Sequence, residues 1–159
     1  MYFIILLLFV YMMSFVTDTT YLGVSENSAW WTCITYNLVH LSFFHLLINS
    51  ISFYCLWKYI KMLKKCIYIP LMIIIPMSSA VMFSHNLPTV GASAIIYTMI
   101  GMFLALFNYK KEDYIRLWIL VMLSILITSF SDSINTGIHI CSLSLSLIVS
   151  LIARRLYEQ

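Results

Sequence analysis

Six runs of apolar residues, separated by short polar segments, constrain this chain more than any other feature of its sequence. The runs cover residues 1–16, 43–57, 67–83, 92–107, 114–130 and 138–153. Each run approaches the length that an α-helix needs to cross a bilayer. Of all residues, 62% are hydrophobic and 9% are charged, which is too little charge to cover the surface of a soluble domain. The sequence therefore predicts an all-α membrane protein with six transmembrane helices, in a single domain over residues 1–159.

The first apolar run needs a separate argument, because a signal peptide has a core of similar length. No basic residue precedes this run and no A-x-A cleavage pattern follows it, so we interpret it as a retained span. The sequence has no further targeting extension, internal repeat or domain linker. These features favour a bacterial cell membrane as the location.

The basic residues orient the six predicted helices. They lie between runs two and three, between runs four and five or at the start of run five, or after run six: Lys58, Lys61, Lys64, Lys65, Lys110, Lys111, Arg116, Arg154 and Arg155. The opposite side of a six-span arrangement holds Asp18, Glu26 and Asp132, with no Lys or Arg. The positive-inside rule makes the basic side cytoplasmic, so both termini are predicted to be cytoplasmic. Because these charges form short clusters instead of one patch, the net charge of +3 does not indicate a nucleic-acid partner.

Four polar residues stand out inside the apolar runs, where polar groups are costly and usually functional. They are His45, Asn49, Ser93 and His139. Helical rise puts each histidine and the serine roughly 20–25 Å from the next basic cluster along the chain, so their depths in the membrane are similar. We therefore predict that three helices bring these side chains together in one cavity that opens to the outer side.

Ordinary structural roles are open for the same residues. Ser93 could cap the start of a helix or bond a backbone carbonyl. Asn49 lies one turn after His45 and could hold two helices together through a hydrogen bond. For His40, at the mouth of the second run, we expect a structural hydrogen bond.

Residues spaced by four form one stripe on the fourth run and a similar stripe on the sixth. The stripes consist of Ser93, Tyr97 and Gly101 on the fourth run, and of Ser142 and Ser146 on the sixth. Small residues at this spacing let two helix backbones approach closely. Close packing of these runs would bring Ser93 to His139 and lay Tyr97 against the imidazole, although ordinary aromatic packing explains Tyr97 equally well.

Three motifs, in this order along the chain, resemble the rhomboid intramembrane serine proteases. Residues 40–49, HLSFFHLLIN, resemble the second-helix pattern H-x4-H-x3-N of that family. Residues 91–101, GASAIIYTMIG, resemble its fourth-helix pattern G-x-S-x3-Y-x3-G. Residues 139–146, HICSLSLS, resemble its sixth-helix pattern H-x2-G-x3-G, with serines at both glycine positions.

The resemblance implies a rhomboid-like bundle of six helices with a Ser–His dyad and no required aspartate. Ser93 would be the nucleophile and His139 the general base, with Tyr97 stacked on the base. The oxyanion would be bound by His45, Asn49 and the Ser93 backbone N–H, and the supporting residues would be Tyr97, His40, Gly91 and Gly101. Transmembrane segments of other proteins would enter from the bilayer past the fifth helix and be cleaved near its outer side. The resemblance implies no metal and no cofactor.

Three other functions remain open from the sequence. A catalytically inactive protein of the same fold would bind transmembrane helices without cutting them. A metal or redox protein could use His45 and His139 as ligands, but no third ligand lies at their depth. A transporter would need paired helices broken by Gly or Pro, and the runs contain none. We therefore expect an active serine endopeptidase.

Overall fold

The structure is a computed structural model that describes residues 1–63, 68–130 and 134–157. Within these residues the chain forms seven α-helices, and strand-like pairing is confined to an isolated bridge between Val24 and Thr89. The helices are α1 (Tyr2–Met13), α2 (Thr32–Thr35), α3 (Phe43–Ile60), α4 (Tyr68–Phe83), α5 (Ser93–Leu106), α6 (Lys111–Ser129) and α7 (Thr136–Tyr157). The predicted all-α fold class is confirmed.

Six of the helices overlap the six predicted apolar runs. The exception is α2, a four-residue helix in the long segment between α1 and α3, which the sequence analysis did not predict. Lys64 and Lys65, between the second and third runs, lie outside the described residues, as does Asp132.

The described helices differ in whether they are long enough to cross a bilayer. Among the described residues, one helix, Thr136–Leu156, is by itself long and apolar enough to cross a bilayer. A bent pair, Thr32–Leu38 with Phe43–Leu63, passes the same criterion together, with an angle of 97° at the break. The apolar helices α1, α4 and α5 are shorter, at 12, 16 and 14 residues. The count of six spans therefore stays a prediction.

The helices α3, α5 and α7 run parallel to one another. Gly101 of α5 contacts Ser146 of α7, and nearer the C-terminal ends Arg154 of α7 donates a hydrogen bond to the Ala105 carbonyl of α5 (3.2 Å). In α3 and α5, the rings of Tyr59 and Phe103 pack with their centroids 4.9 Å apart, close to the C-terminal ends. The N-terminal ends of all three helices therefore meet at the same side of the bundle.

Buried hydroxyl groups join α7 to its neighbours. The Ser142 hydroxyl donates to the Ser79 hydroxyl of α4 (2.9 Å), and the Ser146 hydroxyl donates to the Thr98 carbonyl of α5. All four of these residues are fully buried or nearly so. The serines at the two glycine positions of the sixth-helix motif therefore hold α7 in place through hydrogen bonds.

The helix α6 lies at the edge of the bundle. Its one buried side chain among the described residues is Val121, which packs with Tyr97, Leu104 and Leu143. Most of its other apolar side chains are exposed, such as Ile119, Leu120 and Ile127. An exposed apolar surface of this kind suits contact with lipid.

Candidate active site

A cavity of about 570 Å³ lies among the N-terminal halves of α3, α5 and α7, with α6 along one side. Five of the residues predicted from the sequence line this cavity: His45, Asn49, Ser93, Tyr97 and His139. From α6 it is lined by Ser124 and Thr128. The other predicted residues, His40, Gly91 and Gly101, do not line it. The structure therefore brings together side chains that are up to 94 positions apart, from His45 to His139 (139 − 45).

Ser93 and His139 meet directly in this cavity. The Nε2 atom of His139 lies 2.7 Å from the Oγ atom of Ser93, which is hydrogen-bonding distance. Ser93 is the first residue of α5 and is half-buried, whereas His139 lies in the first turns of α7 and is 5% exposed. A hydroxyl held this close to a histidine nitrogen can lose its proton to that nitrogen and become a nucleophile.

The surroundings of Nδ1, the other ring nitrogen of His139, indicate what keeps the ring in place. A neutral imidazole with its proton on Nδ1 leaves Nε2 to accept the Ser93 hydroxyl proton. Nδ1 is buried and has no hydrogen-bond partner among the described residues. Within those residues, no carboxylate orients the ring, so its orientation depends on packing.

Tyr97 supplies that packing. Its ring stacks on the His139 ring with centroids 4.6 Å apart and an angle of 25° between the planes. The Tyr97 side chain is 6% exposed, and its hydroxyl lies 3.0 Å from the Ser124 hydroxyl of α6. A stacked aromatic ring also favours a positive charge on the imidazole when a proton arrives.

His45 and Asn49 line the cavity from α3, one turn apart. The helix begins after Ser42, whose hydroxyl accepts the His45 backbone N–H (3.2 Å). Gly91, which precedes α5 and has φ +120°, packs closely against both side chains. An added Cβ there would lie 2.6 Å from the His45 ring and 3.6 Å from the Asn49 amide nitrogen. A glycine is therefore required by both backbone conformation and space.

The N-terminal end of α5 adds a backbone donor to the same region. The first N–H groups of a helix have no intrahelical acceptor, and Ser93 is the first residue of α5. The Ser93 N–H, the Asn49 amide and the His45 ring are therefore all donors beside one nucleophile, which suits the binding of an oxyanion.

His40 fixes Asn49 from behind the cavity. Its Nε2 atom accepts hydrogen bonds from the Asn49 amide (3.0 Å) and the Ala92 backbone N–H (3.4 Å), while Nδ1 lies 3.3 Å from the Leu38 carbonyl. Burial, followed by the nearby His45 ring, lowers the pKa of His40 to about 4. The ring is therefore neutral at pH 7, as these two accepted bonds require.

The sequence analysis did not find Asn135, which holds the start of α7. Its Oδ1 accepts the Ile138 backbone N–H (3.1 Å), and its amide donates to the Phe83 carbonyl (2.6 Å). The residue is 5% exposed. An asparagine just before a helical apolar run is a common N-cap signal, so this role was detectable. Ser124 carried no comparable signal, because its importance depends on a contact between two helices.

The side chains that could bind a metal ion do not form a site in the part of the chain that the structure describes. Among the described residues, no three side chains of His, Cys, Asp or Glu are grouped so that they could hold a metal ion. The Nε2 atom of His139 is directed at Ser93 instead.

Comparison with known proteins confirms the family resemblance. A family model described as "Rhomboid domain" matches residues 27–155, which is most of the chain and includes every residue of the candidate site. No curated protein matches the chain.

Proposed function

The chain belongs to the rhomboid family of membrane-embedded proteins, and from this premise we propose that it is an intramembrane serine endopeptidase. In this proposal it cleaves transmembrane segments of other membrane proteins near the outer side of the bilayer. The observation that supports it most is the 2.7 Å distance between His139 Nε2 and Ser93 Oγ. The family also includes inactive members, so the experiment below separates cleavage from binding.

The reaction begins with attack by Ser93 on a substrate carbonyl. His139 takes the hydroxyl proton on Nε2 as the new C–O bond forms, and the carbonyl oxygen becomes an oxyanion. His45, Asn49 and the Ser93 N–H donate hydrogen bonds to that oxyanion. Preorganised donors of this kind stabilise the charge that develops in the transition state.

The second half of the reaction returns the proton. His139 donates it to the leaving amine as the C–N bond breaks, which leaves an acyl group on Ser93. A water molecule in the cavity then attacks the acyl carbonyl, with His139 again accepting a proton. The acid is released and the Ser93 hydroxyl is restored.

The membrane arrangement that fits this chemistry has six spans, with both termini cytoplasmic. The N-terminal ends of α3, α5 and α7 would then face the outer side, so the cavity would be open to water there. Basic residues lie at the opposite end of the bundle. Lys58 and Lys61 lie at the C-terminal end of α3, Arg154 and Arg155 lie in the last turn of α7, and Lys110 precedes α6. Charges of this sign are typical of the cytoplasmic side.

Substrate helices resist cleavage because their backbone groups are hydrogen-bonded internally. We therefore expect preferred substrates to carry Gly, Pro or small polar residues near the outer end of a transmembrane segment, where the helix unwinds easily. The partners in this proposal are such membrane proteins and the lipid bilayer, with no nucleic acid and no metal. The proposed location is a bacterial inner membrane, in which the chain is a multi-pass protein, and this membrane is the host for the reporter assay.

The decisive experiment labels the purified protein with a fluorophosphonate probe and measures cleavage of a transmembrane reporter. Wild-type protein should be labelled at Ser93 and should cut the reporter, whereas Ser93→Ala and His139→Ala should do neither. Ser78→Ala is the matched control, because the Ser78 hydroxyl donates to the Ile74 carbonyl within α4, away from the cavity. A wild-type protein that binds the reporter but is neither labelled nor active would identify a non-cleaving member of the family.

A further inference from the structure

We propose that Ser124 of α6 is a positioning residue that orients the general base His139 through Tyr97. The inference rests on the proposed function, because it assigns a role within the same active site. It starts from the fact that Tyr97 makes two contacts at once: its ring face lies on His139, and its hydroxyl bonds to Ser124.

The direction of the Tyr97–Ser124 hydrogen bond follows from a second bond. The Ser124 hydroxyl donates its one hydrogen to the Val121 carbonyl within α6, at 2.7 Å. It therefore has only acceptor capacity left for Tyr97, so the Tyr97 phenol is the donor in the 3.0 Å contact. Ser124 is thus an oriented acceptor that fixes the outer end of the tyrosine side chain.

Fixing that end of the side chain also fixes the ring. A tyrosine has two side-chain torsions, and a hydrogen bond at its hydroxyl restricts both of them. Tyr97 is 6% exposed, so its ring has little room to move once its hydroxyl is fixed. Because Nδ1 of His139 has no partner among the described residues, the stacked ring is a principal restraint on the imidazole.

The position of α6 in the bundle determines how easily the contact between Tyr97 and Ser124 can be broken. Tyr97 belongs to α5, at the centre of the bundle, whereas α6 lies at the edge and buries Val121 alone among its described side chains. An outward displacement of α6 would break the Tyr97–Ser124 bond before it disturbed the packing of α5 against α7. The orientation of the base therefore depends on where α6 lies.

The test compares steady-state cleavage of the transmembrane reporter by four variants. Ser124→Ala should lower kcat by about threefold to tenfold, the range expected for one net hydrogen bond, with KM unchanged. Tyr97→Phe should cause the same loss, because it keeps the stacked ring and removes the donor. The double variant should be no slower than either single variant, and Ser124→Thr should restore most of the rate.

The chain offers a closely matched control. Ser129, also on α6, has a hydroxyl that donates to the Leu126 carbonyl at 2.7 Å, as Ser124 does to Val121, but it is exposed and lies outside the cavity. Ser129→Ala should leave kcat and KM unchanged. This control separates the contact with Tyr97 from any general effect of removing a serine from α6.

The outcomes distinguish this inference from the proposed function. If wild-type protein cleaves the reporter but Ser124→Ala is equally fast, or if the two single effects multiply in the double variant, the positioning role is wrong and the protease assignment stands. If wild-type protein neither cleaves nor reacts with the probe, the proposed function fails, and this inference fails with it.

Discussion

Ser146 of α7 packs directly against Gly101 of α5, so closely that no side chain fits between the two helices there. A Cβ added at Gly101 would lie 2.8 Å from Ser146 Cβ and 2.7 Å from the Leu143 carbonyl oxygen. This contact lies two turns below Ser93 and His139 on the same pair of helices. The hydrogen bond between those two residues therefore depends on the close approach at Gly101.

Gly101→Ala should separate α5 from α7 and weaken both the fold and the reaction. The added methyl group meets backbone that cannot rotate away, and overpacking of this kind typically costs about 1–3 kcal/mol of stability. We expect a lower thermal unfolding midpoint in detergent and at least a tenfold slower reaction of Ser93 with a fluorophosphonate. Gly137→Ala is the comparison, because its nearest contact is the Phe83 side chain, so its effect should be smaller. Equal effects would contradict the argument.

The spacing of small residues in the sequence favours this packing, because residues four apart share a helix face. The pattern identifies the faces that carry Gly101 and Ser146, but it does not state that these faces meet, so the approach of Ser93 to His139 was a hypothesis at that point. The contact between Tyr97 and Ser124 could not be predicted, because a sequence does not state how α6 is rotated against α5. The short helix α2 was also missed, since four residues are too few to show a periodic pattern.

Asn49→Ala should reduce kcat without abolishing it. The Asn49 amide donates to His40 and, in the proposed mechanism, also to the oxyanion, so its loss removes one of several donors. Losing one such donor typically slows a reaction by about 10²–10³-fold. The measurement is kcat and KM for reporter cleavage, in which KM should change little.

Ser50→Ala is the matched control for Asn49→Ala. It is the next residue of α3, does not line the cavity, and its hydroxyl has no hydrogen-bond partner among the described residues. Its rate should equal that of the wild type. If Asn49→Ala also kept the wild-type rate, Asn49 would have no part in oxyanion binding.

Asn135→Ala should loosen the start of α7, where His139 lies one turn along. The variant loses the N-cap acceptor for Ile138 and the link to Phe83, and an N-cap alone is worth about 1 kcal/mol. Asn135→Asp keeps the acceptor but cannot donate to the Phe83 carbonyl. We expect the unfolding midpoint and the probe-labelling rate to fall in the alanine variant and to recover partly in the aspartate variant. A full recovery would show that the bond to Phe83 contributes nothing.

The stability of the protein should depend on His40 between pH 6.5 and about 4. The pKa of this group is lowered from 6.5 to about 4, so between these values the unfolded chain takes up a proton that the folded chain resists. The contribution is fully present above pH 6.5 and is lost as the pH falls towards 4, with a total on the order of 3 kcal/mol. Among the described residues, two titratable groups lie near His40: the His45 ring, 4.9 Å away between centroids, and Asp18, which lines a small pocket with it.

Replacing His40 by glutamine isolates this contribution, because glutamine keeps an acceptor for Asn49 but does not titrate. Unfolding midpoints in detergent, measured from pH 7 to pH 4 for both proteins, should fall more steeply for the wild type. The difference between the two curves therefore reports His40 together with its effect on the neighbouring His45 ring. Parallel curves would mean that His40 has the same pKa in the folded and unfolded chains, and that burial against Asn49 and Ala92 does not hold it neutral.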